Sequence, residues 1–242
     1  MNRKSYLAPQ FKSLLLIGTG GTGSYLAQGL AKLVAGYRLD LQVLLVDPDM
    51  VEEKNCARQN FHAWEIGSGK SEALCQRLNQ QYGVDFAFSK SRGEVHLHFV
   101  YDRLIVSCVD NIRSRKACKA HSPWLDLGNG QETGQAIFGT TEEQNKLKQE
   151  IESWDSTPYV GCLPSPYRVA NMGRLKTRKS APSCADHPFA EQGIFANEWA
   201  AQAGLAILHQ LLVKGELITP HIYFDTAKGR MTSGFVTRDL FG

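Results

Sequence analysis

The chain has 242 residues, 43% of them hydrophobic and 21% charged, with 27 Lys+Arg against 24 Asp+Glu for a formal net charge of +3. This composition excludes a collagen, a disordered tail and a disulfide scaffold, and the length suits one domain that buries about 70–75% of its unfolded surface. So small a net charge gives no argument for nucleic acid.

The first 110 residues alternate strand and helix patterns. Leu14–Ile17 is a short apolar run that meets a glycine cluster, as a buried parallel strand does. Ser24 to Val34 places Leu26, Leu30, Leu33 and Val34 at helical spacing, so a helix follows directly. Val43–Val46 reads as a second buried strand, Lys70 to Gln81 as a helix, and Val95–Phe99 alternates as a strand. Leu104–Val106 leads into a strand over Ser107–Asn111 whose C-terminal end carries polar residues. This order predicts an α/β, Rossmann-like fold with a mostly parallel sheet flanked by helices and ligands at the carboxyl ends of the strands.

The second half is less regular and predicts mixed strands. Trp124–Leu127 and Gln135–Phe138 read as strands around the turn Gly128–Gly130, and Glu142 to Glu152 as a surface helix. Tyr167–Ser183 holds Arg168, Arg174, Lys176, Arg178 and Lys179 without an acidic residue, and reads as a long, mobile crossover loop. That loop accounts for the positive balance, since the other residues together are mildly negative. A helix from about Asn197 to Val213 and a last strand, His221–Asp225, complete a single domain over 1–242. Its nucleotide-binding half spans about 12–130 and its partner-binding half about 131–242.

The six cysteines form no C-x-x-C pair, so no zinc is expected. His62, His96 and His98 lack metal-ligand spacing. The N-terminus lacks the apolar core of an export signal, and Ala200 to Val213 is too interrupted by polar residues to span a bilayer. A soluble, cytoplasmic protein with reduced thiols is the expectation.

Gly18-Thr-Gly20-Gly21-Thr-Gly23 stands after a strand and opens a helix, where backbone N–H groups can approach a phosphate. Asp47 ends the second strand and can accept ribose hydroxyls. These two features do not separate NAD from ATP. The following residues do: Asp47-Pro-Asp49, Val51, Asn55, Arg58-Gln59, then Ile66-Gly67 and Lys70, then Asp110-Asn111 and Arg115. Arg58 and Lys70 can neutralise charge on a triphosphate, and Asp110 can hold Mg²⁺.

This set, across residues 14 to about 130, resembles the ThiF/MoeB/HesA family of ubiquitin-activating-type adenylyltransferases. In detail it is most similar to the ThiF-family protein of bacterial plasmid-borne PRTRC gene systems. The resemblance implies binding of ATP and Mg²⁺ and adenylation of the C-terminal carboxylate of a ubiquitin-like or sulfur-carrier-like protein ending in glycine. It implies a homodimer and suggests a conjugating-enzyme-like partner. Carried over, Asp47 binds ribose, Asn55, Arg58 and Lys70 line the phosphates, Asp110 holds the metal, and Gln59 supports the site. Gly18, Gly20, Gly21, Gly23, Asp49 and Asn111 complete the nucleotide set. Arg3 is the one early candidate for an arginine given to a neighbouring subunit.

Some relatives pass the activated protein to a cysteine. Cys184 follows the basic loop in an electropositive setting that favours thiolate. Cys162 and Cys118 are its rivals, and a reaction without a covalent step stays open. So do adenylation of a small molecule or tRNA base, an NAD(P)-dependent oxidoreductase, and a nucleotide-binding scaffold without catalysis. The family's zinc pairs are missing, and Lys119 stands where the family has Asn.

Overall fold

The computed structural model of the protein describes residues 3–92, 103–119, 123–172 and 195–242. The N-terminal part runs β1 (Ser5–Leu7), β2 (Ser13–Ile17), α1 (Gly21–Tyr37), β3 (Gln42–Val46), α2 (Glu53–Cys56), α3 (Lys70–Tyr82), β4 (Ala87–Ser89), β5 (Arg103–Ser107) and α4 (Ile112–Cys118). The remainder runs β6 (Trp124–Asn129), β7 (Thr133–Gly139), α5 (Gln144–Glu152), β8 (Tyr159–Val160), α6 (Pro166–Val169), α7 (Ala196–His209), β9 (Glu216–Leu217), β10 (His221–Asp225) and β11 (Arg230–Gly234). A π-helical turn, Gln210–Lys214, extends α7.

Eight strands form one sheet in the order β11-β10-β7-β6-β5-β2-β3-β4. The run from β6 to β4 is parallel, and β7, β10 and β11 are antiparallel. The expected Rossmann-like sheet with a mixed second half is therefore present. The chain leaves β2 toward β3 and β4, then crosses back to β5 on the other side of β2. This reversal opens a crevice at the carboxyl ends of the strands. Leu14, Leu15 and Leu16 of β2 are fully buried, because helices or loops cover both faces of a central parallel strand.

α1 and α7 pack side by side on one face. Leu205 fills the space beside Gly29. On α7, Gly204 lies against Leu127 of β6. The absence of side chains at these two glycines lets α7 approach both α1 and the sheet.

Several expectations change. The strand predicted through Asn111 stops at Ser107, because Asn111 caps α4 by accepting from the Ser114 N–H at 2.8 Å. The loop predicted from Tyr167 begins as a helical turn: the Ser165 side chain caps α6, and Met172 is completely buried. Residues 173–194, with Cys184, and the predicted strand Val95–Phe99 lie outside the described residues. Strand β11 was absent from the prediction, as was a second sheet of order β8-β1-β9. Strands of two or three residues show no usable periodicity, and β11 is exposed along most of its length.

Candidate nucleotide site

The carboxyl ends of the parallel strands and the hairpin end of β6–β7 line one cavity of about 1230 Å³. Its wall carries most of the residues singled out from sequence: Gly18, Gly20 and Gly21, Asp47 and Asp49, Asn55 and Gln59, Lys70, and Asp110 with Asn111. Positions up to 93 residues apart in sequence, Gly18 and Asn111, thus meet at one wall.

Gly18 has φ +86°, a backbone open to glycine, and a β-carbon there would lie 2.8 Å from the Cys108 carbonyl oxygen. The loop is pinned by Asp47. Its Oδ2 accepts from the Thr19 N–H at 2.6 Å and the Thr19 hydroxyl at 3.2 Å, while Oδ1 accepts from the Asp49 N–H at 2.9 Å. Burial pushes the Asp47 carboxyl up, against those N–H donors and the Lys70 charge that hold it down. Gly20 is the residue before α1, and Gly23, away from the cavity wall, packs against the Gly18 carbonyl.

Asp49 and Lys70 are joined twice. The Lys70 N–H donates to the Asp49 carbonyl at 2.9 Å, and its Nζ lies 3.0 Å from Asp49 Oδ2. The Val51 N–H donates to the Ser68 carbonyl and the Gly67 N–H to the Val51 carbonyl, so two sequence motifs become one stitched unit. The Lys70 side chain is 8% exposed and directed by Asp49.

Asn55 is buried and its Oδ1 accepts from the Glu52 N–H at 2.8 Å, which closes the turn of α2. Gln59 lies over Gly20, and its Oε1 is buried on the cavity wall without a hydrogen-bond partner. An orphaned acceptor at such a place fits a ligand that brings a donor. Arg58 is 8% exposed and is not on the cavity wall; its carbonyl accepts from the Asn197 amide at 3.3 Å. Asp110 is exposed on the wall. Among the described residues no group of three His, Cys, Asp or Glu is placed to hold a metal alone. A Mg²⁺ ion that keeps its waters and takes phosphate oxygens needs only one or two carboxylates, so Asp110 fits that role beside a nucleotide.

The thiols divide sharply. Cys162 is buried, and burial together with Glu150 pushes its pKa up to about 12. Cys118 is also buried, with its S–H directed at the Ser114 carbonyl. Burial raises the thiols of Cys75 and Cys108 as well. Arg3 lies 3.6 Å over the ring of Phe235 in its own chain, away from the cavity wall. Lys119 lies 4.2 Å from the Tyr167 ring and 3.8 Å from Glu142 Oε2, tying α4 to the segments that follow β7.

Sequence reasoning missed one polar cluster. The Thr22 hydroxyl lies 3.0 Å from Asn129 Oδ1 and 3.3 Å from Asn197 Oδ1, and the Asn129 amide donates to Asn197 Oδ1 at 3.1 Å. No local pattern marks Asn129 or Asn197; only the fold brings them to the glycine loop. Arg92 and Arg113 also line the cavity, both exposed.

Comparison with known proteins agrees with this architecture. Residues 8–125 match the ThiF family. The chain is 25% identical over 240 residues to the ubiquitin-like modifier-activating enzyme 5 of rice, Oryza sativa subsp. japonica, covering 89% of this chain and 51% of that protein. A shorter stretch of 65 residues is 37% identical to an adenylyltransferase and sulfurtransferase of Yarrowia lipolytica, covering 27% of this chain and 15% of that protein. The chain therefore spans about half the length of the rice relative and a smaller part of the yeast one. The structure of Escherichia coli MccB with ATP shares the fold with a TM-score of 0.58 at 18% identity, over 94% of this chain and 64% of that one. With its motifs gathered on one Rossmann-type crevice, the region over residues 8–125 is that of the ThiF family, and the fold around it is shared with MccB.

Proposed function

We propose that the chain activates a carboxylate by adenylation with ATP, and that the carboxylate is the C-terminus of a small ubiquitin-like or sulfur-carrier-like protein ending in glycine. The observation that carries this reading is the Lys70–Asp49 pair beside the Asp47-pinned glycine loop, all on one cavity wall with Asp110. A dehydrogenase has no use for a lysine directed onto that wall; a reaction that expels pyrophosphate does. The relatives point the same way, since the rice protein activates a ubiquitin-like modifier by name and MccB was solved with ATP.

In this reading the glycine loop receives phosphate, Asp47 and the unpaired Gln59 Oε1 face the ribose side, and Lys70 stabilises negative charge as the carboxylate oxygen attacks the α-phosphorus and pyrophosphate leaves. Bound Mg²⁺ would neutralise phosphate charge, with Asp110 as its protein ligand. Arg58 lies off the cavity wall, so its substitution tests its role in phosphate contact separately from Lys70. If a thiol then takes the acyl group, the proposal gives that role to Cys184, which lies outside the described residues; burial raises the thiols of Cys75, Cys108 and Cys162 and so makes them poorer nucleophiles. The nucleotide-binding and partner-binding halves, the homodimer, a conjugating-enzyme-like partner and a cytoplasmic setting belong to the same proposal. Among the described residues no helix is long and apolar enough to cross a membrane.

The test is ATP–pyrophosphate exchange with a ubiquitin-like protein ending in Gly-Gly, with NADH binding as the control. Exchange is expected, reduced about 10²-fold or more by Lys70→Ala. Binding of NADH in place of ATP, or exchange that survives both Lys70→Ala and Asp110→Ala, overturns the reading.

A further inference from the structure

Arg115 stands four residues after Asn111, on the cavity wall beside Val109 and Leu127. Its Nε donates to the Val109 carbonyl at 3.1 Å and its Nη2 to the Leu127 carbonyl at 3.3 Å. These bonds tie the turn after β5 to the end of β6. Beneath them lies Asp126, completely buried, with Oδ1 3.6 Å from Arg115 Nε. The same Oδ1 accepts from the Ser107 hydroxyl at 2.6 Å, and Ser107 Oγ accepts from the Trp124 indole N–H at 2.8 Å.

A fully buried carboxylate requires either a proton or a cation close by. Burial raises the Asp126 carboxyl, and Arg115 is the first influence holding it down. Gly128 leaves the guanidinium its present place, since a β-carbon there would lie 2.5 Å from Nη2 and 2.8 Å from Nη1 and would shift the group. Arg115 is therefore held from below by charge and from the side by shape. What it holds is the segment Cys108–Asn111. That turn is also fastened by the Cys108 N–H to the Ile17 carbonyl at 2.8 Å and by the Asn111 cap. None of these fastenings uses the Asp110 side chain, which stays on the cavity wall.

We propose that Arg115, anchored on buried Asp126, is the positioning residue that sets Asp110 against the nucleotide cavity and so controls how tightly the divalent cation accompanying ATP is held. This inference rests on the adenylation reading, in which Asp110 meets that cation. The arginine fork is essential to it: a lysine keeps the charge beside Asp126 but cannot reach two carbonyls in fixed geometry.

The experiment measures ATP binding to the full chain by calorimetry, in EDTA and across a Mg²⁺ titration. The proteins are the wild type, Arg115→Lys, Gly128→Ala, Asp110→Asn and the Arg115→Lys/Asp110→Asn double variant. Arg115→Lys is expected to raise the Mg²⁺ needed for half-saturation about tenfold, a larger change than it makes in the ATP affinity measured in EDTA. Gly128→Ala, which displaces the guanidinium without removing its charge, shifts Mg²⁺ dependence in the same direction and serves if the lysine variant folds poorly. The double variant is expected to match Asp110→Asn alone, because two groups acting through one contact do not add. Independent, additive effects, or an unchanged Mg²⁺ titration in both Arg115→Lys and Gly128→Ala, overturn the assignment while the wild type still binds ATP. A wild type that binds no ATP overturns the adenylation reading itself.

Discussion

The side-chain amide of Asn197 occupies the place that a β-carbon on Gly21 would need, with such an atom 2.6 Å from Oδ1 and 2.7 Å from Nδ2. Gly21 is the first residue of α1 and Asn197 lies in the first turn of α7, so helices far apart in sequence meet at the glycine loop. Gly21 has an ordinary backbone for any residue; only Asn197 forbids a side chain. Gly21→Ala is therefore expected to weaken ATP binding about tenfold or more, and Asn197→Ala added to it to restore part of that loss, as expected for neighbours in contact. Calorimetric titration with ATP checks both. Failure of the second change to help would place the fault in the loop backbone instead.

The segment that delivers Lys70 is held by a largely buried ion pair. Arg77 Nε lies 2.8 Å from Glu65 Oε1, with the two side chains 16% and 7% exposed, and Glu65 Oε2 also accepts from the His62 N–H at 2.8 Å. Removing the arginine strands a buried carboxylate, so Arg77→Ala should lower the unfolding free energy by about 3 kcal/mol. Urea denaturation measures this, and a loss within the error of the extrapolation would show that the segment is held by other contacts.

Acid should weaken the β10–β11 edge. His221 is pushed below its ordinary 6.5 by burial, and its Nδ1 is buried without a hydrogen-bond partner. In the window just below pH 6.5 the unfolded chain takes up a proton that the folded chain refuses. Stability therefore rises with pH through that window and falls as the medium is acidified toward the folded value. Thermal midpoints between pH 5 and 8 should show this slope, and His221→Gln should flatten it. A midpoint that rises on acidification would contradict the sign.

Cys162, with its thiol pushed up to about 12 by burial and by Glu150, is protonated at neutral pH. Protonated thiols are poor nucleophiles. Iodoacetamide at pH 7.5 should leave Cys162 unmodified in the folded protein and label it in urea, as peptide mass spectrometry would report. Cys162→Ala should keep nucleotide binding and any exchange activity. Rapid labelling of the native protein would return Cys162 to the contest with Cys184.

The parallel half of the fold was legible because each element advertises itself locally. Leu14–Ile17 followed by glycines, and Lys70 opening a helical run, lie where predicted, with ends moved by one to three residues. The small sheet was illegible for the opposite reason. Ser5–Leu7, Tyr159–Val160 and Glu216–Leu217 each carry too few residues for any period, and they pair across most of the chain.

The site divides along the same line. The amino-acid order by itself marked the glycine loop and Asp47 by backbone conformation and strand ending, and pointed to Asp49, Lys70 and Asp110 through their charge and the family pattern they resemble. Only the tertiary structure decided that Asp47 accepts two hydrogen bonds from Thr19 of the loop and a third from the Asp49 N–H, that Arg58 stands off the wall, and that Arg115 is anchored on Asp126. It also decided that Thr22 meets Asn129 across 107 positions and that Asn197 meets Arg58 across 139. Local sequence specifies which backbone shapes are affordable, whereas contacts between distant polar groups exist only after strand order and helix packing have brought them within hydrogen-bond reach.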